Sequence, residues 1–307
     1  MRVGVIGVGI MGKNHVRIFS ELKSVSAVGV FDLNTAGANA VAAQHDATAY
    51  GSIGDLIAHS DAVSICVPTQ FHANVARQVF AAQKSVFIEK PICATSAEAK
   101  DLMKAAPPGI TIGVGHIERF NPIVNEIRRI TRKPLYIEMK RHNPASARIT
   151  GSSVVEDLMI HDIDILLNVF FPTPCHIHSV GNADVCSVLM ECGEVPVVLS
   201  ASRKSSKKIR LLYVEEEEFT VEGDFMSQEI TIYRKPGRYQ FEEERYVQEN
   251  IIEKVMVNKT EPLKAELAAF ISCVNKSEPF PITPAQAIRN LEVSEAIRAG
   301  FSHGATQ

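Results

Sequence analysis

The sequence predicts an α/β chain of two domains: a doubly wound parallel sheet, then an α+β domain on an open, mainly antiparallel sheet. Three observations carry this. At 307 residues the chain is long for a single core. Its first third alternates short, wholly apolar runs with helical stretches, as buried parallel strands and their crossovers do. From about Pro134 onward, polar and apolar residues alternate, as they do on strands with one covered and one wetter face.

The first 32 residues set the frame. Arg2-Val3-Gly4-Val5-Ile6 is too short and too β-branched for a helix, and it ends at Gly7-Val8-Gly9-Ile10-Met11-Gly12. In a G-x-G-x-x-G turn the first glycine permits the tight bend. The second lets a pyrophosphate approach the backbone, and the third lets helix and strand pack closely. A helix predicted at about Lys13 to Lys23 aims its free N–H groups at those phosphates. Ala27 to Phe31 reads as a second strand, closed by Asp32, whose carboxylate can accept the adenosine ribose hydroxyls. This is a Rossmann-type dinucleotide site. A 2′-phosphate would meet the charge of Asp32, and neither Leu33 nor Asn34 is an arginine, so NAD is expected over NADP.

Composition narrows the partners. With 32 basic and 35 acidic residues the net charge is −3, which supplies no field for nucleic acid or a membrane surface. No segment reaches the apolar length of a membrane span. The six cysteines (Cys66, Cys93, Cys175, Cys186, Cys192 and Cys273) form no C-x-x-C pair, which suits reduced thiols in a cytoplasm rather than a disulfide framework. A soluble cytoplasmic protein with a small-molecule ligand and no metal is expected.

Downstream, helices at Ala36 to His45 and Ser52 to His59 precede the strand Ala62 to Val67. The carboxyl end of that strand meets Pro68-Thr69-Gln70-Phe71-His72. Ligands bind beyond such ends, so Pro68, Thr69 and His72 are candidate cofactor contacts, although Pro68 equally suits a helix start and His72 a cap. The strand Ser85 to Ile88 then delivers Glu89-Lys90-Pro91. Proline biases Lys90 toward an extended backbone, and a strand this apolar is expected in the sheet interior, its end facing the nicotinamide. A surface lysine is the plainer alternative. Thr111 to Gly115 reads as the last strand of the sheet.

Composition changes at His116-Ile117-Glu118-Arg119-Phe120-Asn121-Pro122, which leads into an amphipathic helix ending near Arg132. The expected domains are 1–118, binding NAD, and 119–307, binding substrate and mediating oligomerisation. Predicted strands follow at Tyr136 to Arg141, Ile177 to Asn182, Val185 to Glu191, Val195 to Ser202, Ile209 to Val214, Glu218 to Glu222 and Glu229 to Tyr233. Between the first two of these, Val154 to Phe171 is nearly all apolar. Its exceptions Asp157, His161, Asp164 and Asn168 fall at steps of four, three and four, one line along a helix, with Asp162 outside it. That line is either a solvent edge or a site. Oxidising an alcohol needs a base with a pKa near working pH; His161 fits, and Asp157, four residues before it, can orient its ring.

Other features read more plainly. Cys175-His176-Ile177-His178 is explained by strand alternation rather than by a metal. The basic loop Arg203 to Lys208 leaves open contact with a substrate phosphate from a neighbouring subunit.

With the glycine turn, Glu89-Lys90-Pro91 and Asp157-x-x-x-His161 in this order, the chain resembles the Gfo/Idh/MocA oxidoreductase family over nearly its full length. Glu261-Pro262-Leu263 and a helix from Pro284 to Gly300 extend the match. The resemblance implies catalytic roles for Lys90, Asp157 and His161. It implies cofactor contacts from Gly7, Gly9, Ile10, Met11, Gly12, Asp32, Pro68, Thr69, His72, Glu89 and Lys90, and assembly into homodimers or homotetramers through the second sheet. Within the family, His116 to Pro122 and Asp157 to Asp164 resemble the UDP-N-acetylglucosamine 3-dehydrogenases; Arg119, Asn121 and Arg141 are candidate substrate contacts. Inositol and aldose dehydrogenases share the core motifs. A non-catalytic dinucleotide or sugar-nucleotide sensor is the alternative of another class.

Overall fold

In the computed structural model, the described residues are 1–144, 152–172, 175–236, 239–242, 245–248 and 250–301. The chain divides into two compact units, Met1–Ile117 with Glu261–Glu292, and Glu118–Thr260 with Val293–Gln307.

The first unit begins with β1 (Arg2–Ile6), α1 (Ile10–Glu21), β2 (Ala27–Phe31), α2 (Thr35–His45), β3 (Thr48–Ala49), α3 (Ile53–Ala58) and β4 (Ala62–Ile65). It continues with α4 (His72–Ala81), β5 (Ser85–Glu89), α5 (Ser96–Lys104) and β6 (Ile112–Gly115). The strands are all parallel, in the order β3-β2-β1-β4-β5-β6, so β5 is interior as its apolar run requires. Helix starts follow the local chemistry. Asn34, Ser52 and Thr95 accept hydrogen bonds from the backbone N–H groups of Gly37, Asp55 and Glu98. Helix α1 starts at Ile10 rather than near Lys13, so the glycine turn itself forms the helix entrance.

The second unit is built on an eight-stranded sheet. After α6 (Pro122–Ile130) come β7 (Tyr136–His142), a π turn at Val155–Met159, α7 (Ile160–Ile165) and a second π turn at Leu166–Phe170. Then follow β8 (His176–Gly181), β9 (Val185–Cys192), β10 (Val195–Ser202), β11 (Ile209–Glu215), β12 (Phe219–Asp224) and β13 (Glu229–Arg234). A separate hairpin, β14 (Tyr239–Glu242) with β15 (Arg245–Gln248), precedes β16 (Ile251–Val255). The sheet order is β16-β13-β12-β11-β7-β10-β9-β8, and its one parallel pair joins β7 and β10. Strict alternation sends Ile137, Met139, Val188, Leu199, Leu212 and Val214 to one face, where they pack with Ile123, Val155, Met159 and Ile163. Contact there is close: a Cβ on Gly223 of β12 would lie 2.4 Å from Ile127 Cδ1 of α6.

Helix α8 (Pro262–Lys276) belongs with the first unit, and α9 (Pro284–Gly300) runs from one unit's residues into the other's. The sequence expectation of one domain over 119–307 therefore differs from the contacts of 261–292. An amphipathic helix does not state in sequence which core covers it. The hairpin β14–β15 and the strands β3 and β16 were not anticipated either.

Two further corrections concern chemistry. Cys175 and Cys192 form a disulfide with Cα atoms 4.4 Å apart, against the expectation of reduced thiols throughout. They lie 17 residues apart, and only the β8–β9 register, which pairs His176 with Glu191, shows that they face each other. The helix carrying Asp157 and His161 is α-helical only over α7, with Asp157 in the preceding π turn. The uniform line of steps four, three and four does not hold through it. Among the described residues no helix is long and apolar enough to cross a membrane.

Candidate functional site

In the first unit a cavity of about 750 Å³ opens at the carboxyl ends of β1, β2 and β4. Its lining includes Gly7, Gly9, Ile10, Met11, Asp32 and Pro68. The glycines play separate physical roles. Gly7 has φ +90°, which L side chains rarely adopt, and a Cβ there would press on Cys66 at 2.8 Å. A Cβ on Gly12 would fall 1.8 Å from the Gly7 carbonyl oxygen, so the turn closes only on glycine. A Cβ on Gly9 would meet nothing within 4 Å: here the backbone opens onto free space at the N-terminus of α1.

Asp32 is fixed rather than free to rotate. Val8 N–H donates to its Oδ2 at 2.7 Å and Asn34 N–H to its Oδ1 at 2.8 Å. Around it Ile10, Leu33 and Phe71, all lining the same cavity, are 57%, 92% and 50% exposed. Large apolar side chains left this open beside an anchored carboxylate suit a flat apolar ring attached to a ribose. This lining, with free space at Gly9, an anchored carboxylate and an apolar rim, suits a dinucleotide.

Other expected cofactor residues stand behind the pocket. His72 is buried, with Nδ1 2.9 Å from the Pro91 carbonyl and Nε2 2.9 Å from the Val67 carbonyl. Burial lowers its pKa. It ties the loop after β4 to the loop after β5, with both ring nitrogens engaged by backbone carbonyls. Thr69 begins a 3₁₀ turn and does not line the cavity. Glu89, also expected to contact the cofactor, is buried. Its Oε1 lies 2.9 Å from His15 Nε2, and its Oε2 accepts from Lys90 N–H at 3.1 Å. His15 in turn meets Ser64 Oγ at 2.8 Å. Burial opposes its charge, but Cys66 and Glu89 outweigh it and raise His15 to about 10. Glu89 is likewise held below its usual value by His15 and Lys90 in spite of burial. A buried imidazolium–carboxylate pair thus braces the backbone that presents half-buried Lys90, whose bond to Pro91 is cis. Sequence reading missed His15; its place one helical turn after the glycines, on the buried side of α1, was the available signal.

The second unit holds the other candidates. Asp157 and His161 are both half-buried. Asp164, three residues on, accepts from Arg119 Nε at 2.8 Å and from Asn168 Nδ2 at 3.0 Å. Arg119 is therefore partly engaged.

Two other expected substrate contacts prove internal. Asn121 is buried, caps α6 by accepting from Ile123 N–H, and donates to Glu118 Oε2 and the Phe225 carbonyl. Arg141 is 1% exposed. Its Nε and Nη2 both donate to Asp162 Oδ1, at 2.9 and 2.6 Å, and its Nη1 to Glu118 Oε1 at 2.7 Å. The two carboxylates raise the arginine pKa although burial works against its charge, and burial raises Asp162. Alternation on β7 signalled the burial of Arg141: Ile137, Met139 and Arg141 share one face.

A family model described as an oxidoreductase family with an NAD-binding Rossmann fold, Gfo/Idh/MocA, matches residues 1–116. UDP-N-acetylglucosamine 3-dehydrogenase of Acidithiobacillus ferrooxidans is 32% identical over 244 residues, covering 76% of this chain and 77% of that enzyme. The chain belongs to the Gfo/Idh/MocA oxidoreductase family. It is a dehydrogenase of the type acting on CH–OH groups. A solved structure of the A. ferrooxidans enzyme superimposes with a TM-score of 0.88, over 99% of this chain and 98% of that one, at 28% identity. An inositol 2-dehydrogenase of Paracoccus denitrificans is 28% identical over 178 residues, covering 54% of this chain and 53% of that enzyme.

Proposed function

We propose that this family member is an NAD-dependent dehydrogenase that oxidises the C3 hydroxyl of UDP-N-acetylglucosamine to the 3-keto sugar. The observation that carries the substrate is the likeness to the A. ferrooxidans enzyme, sustained along nearly the whole chain. NAD rather than NADP is supported by the anchored Asp32 carboxylate, followed by Leu33 and Asn34 where a 2′-phosphate would need cations. Gly7, Gly9, Ile10, Met11, Asp32 and Pro68 hold the dinucleotide, which when bound supplies a hydride acceptor.

The chain's own residues manage the proton and the charge. His161 takes the proton from the substrate hydroxyl, and Asp157 orients its ring. Lys90 stabilises the oxygen as negative charge develops on it. The bracing pair His15 and Glu89 keeps the Lys90 backbone in place.

Homodimers or homotetramers form through the outer face of the eight-stranded sheet. That face carries exposed Leu189 and Tyr233 and an edge-to-face pair of Tyr136 with Tyr213. A cytoplasmic setting belongs to the same reading.

The test is NADH formation across UDP-sugars, free sugars and inositols. Turnover of UDP-N-acetylglucosamine above the rest is expected. Preference for an inositol would transfer the reading to the inositol 2-dehydrogenases, which the Paracoccus relative represents. Tight NAD binding without turnover of any substrate would leave a sensor.

A further inference from the structure

The buried charge cluster of the second unit does not balance at its outer end. Arg210 of β11 stands directly opposite Arg141 of β7 in the sheet register, and both side chains share the single acceptor Glu118 Oε1, at 3.2 and 2.7 Å. Like charges facing each other across an antiparallel pair are unfavourable unless something neutralises them. Among the guanidinium–carboxylate bonds of the cluster, Arg141 holds three of four, through Glu118 Oε1 and Asp162 Oδ1, and Arg210 holds one.

Two residues before Arg210, just ahead of β11, Lys208 adds a third cation within electrostatic reach of Arg210 and Glu118. Lys208 makes no ion pair among the described residues. The neighbouring Arg210 pushes its pKa down more than Glu118 raises it, a sign of positive charge in excess at this point. Arg210 is itself lowered, by burial first and by Arg141 second.

Three polar atoms here lack hydrogen-bond partners among the described residues; one is Asp162 Oδ2, on a carboxyl whose pKa burial pushes up. Arg210 Nε is a buried donor without an acceptor, and Asn143 Oδ1 is a buried acceptor without a donor. Asn143 directly follows β7, whose last residue His142 pairs with Ile209 of β11, so it lies at the same end of this strand pair as Lys208. Buried polar groups are almost always satisfied, and a native site that leaves both an arginine donor and an amide acceptor open is shaped for something else. A phosphate oxygen answers the guanidinium and the ammonium. An adjacent hydroxyl answers the amide.

We propose that Lys208 and Arg210, with Asn143 beside them, form a phosphate-binding subsite that takes the diphosphate of a nucleotide-activated sugar. Arg141 ties this subsite to Asp162, the residue after His161, so the anion is held by the same rigid cluster that carries the catalytic helix. The proposal rests on the sugar-nucleotide reading above and supplies its missing part, a group that tells a nucleotide sugar from a free one.

The experiment uses enzyme saturated with NAD, so that a second diphosphate cannot occupy the dinucleotide pocket. UDP and inorganic pyrophosphate are titrated calorimetrically against the unaltered chain, Lys208→Gln and Lys208→Arg, and KM for UDP-N-acetylglucosamine is measured on each. Lys208→Gln is expected to weaken UDP and raise KM about ten-fold, the size of one charge-assisted contact, and Lys208→Arg to restore both. The exposed position of Lys208 keeps the variant folded, and its thermal midpoint checks this. UDP affinity and KM unchanged in Lys208→Gln would overturn the subsite while leaving the substrate reading intact. UDP binding that depends on Lys208, in an enzyme that never oxidises UDP-N-acetylglucosamine, would sustain the subsite and discard the substrate. Pyrophosphate binding as tightly as UDP would place the whole recognition in the diphosphate.

Discussion

Arg141 Nη2 lies 2.6 Å from Asp162 Oδ1, with both side chains almost wholly buried. This contact joins the central strand of the second sheet to α7, one residue beyond His161. A buried pair of this kind contributes little net stability over an apolar substitute, but breaking it is costly because the remaining charge is stranded. Its effect is to fix the rotation of α7 against the sheet.

Arg141→Leu should therefore destabilise the protein by about 3–5 kcal/mol, because Asp162 and Glu118 lose their shared cation inside the core. Arg141→Lys should recover only part of this, since an ammonium cannot reproduce the guanidinium's bonds to both acids. Urea unfolding of the two variants checks the order.

Asn121→Ala removes the cap of α6 and the bond to the Phe225 carbonyl. A loss of about 1 kcal/mol is expected from the cap alone, and more for the orphaned carbonyl. NAD affinity should not change. Denaturation together with KM for the substrate, which should hold, separates this from the expected role in substrate contact.

Gly9→Ala and Gly12→Ala should part company. The Gly12 variant forces a methyl group onto the Gly7 carbonyl and should lower the thermal midpoint as well as NAD affinity. The Gly9 variant meets open space, so its midpoint should hold while NAD binding weakens. Equal midpoints for the two would contradict the pocket geometry.

His15 and Glu89 predict a pH dependence of stability. The raised His15 pKa contributes stability that is full below the unfolded value of about 6.5 and is lost as pH climbs toward 10. The lowered Glu89 pKa contributes stability that is present above its unfolded value and lost in acid. Thermal midpoints should fall between pH 7 and pH 10, and His15→Gln should flatten that slope.

Lys90→Ala should reduce kcat by orders of magnitude while leaving NAD binding nearly intact, the mark of an interaction made in the transition state. Steady-state kinetics with an NAD titration decide. Full activity would retire the assignment of Lys90.

The succession of strands and helices in the first unit apart from β3, the glycine turn and the acid after β2 were legible in the sequence because each is a local requirement. A turn that only glycine can make, a buried parallel strand and a carboxylate at a strand end are written in neighbouring residues. The roles of polar residues were not. His72, Glu89, Asn121 and Arg141 had been expected at ligands, but the structure turns them inward to clamp loops, brace Lys90, cap α6 and neutralise Asp162. A polar side chain near a motif looks the same in sequence whether it faces a ligand or supports the residue that does. Partners 74 residues apart, as His15 and Glu89 are, or paired through a strand register, as Arg141 and Arg210 are, exist only once the chain has folded. Neighbouring residues suffice to specify the backbone frame of a Rossmann turn. The tertiary structure alone decided which charges are buried together, because burial, not residue type, sets whether a charge is held for support or left open for a ligand.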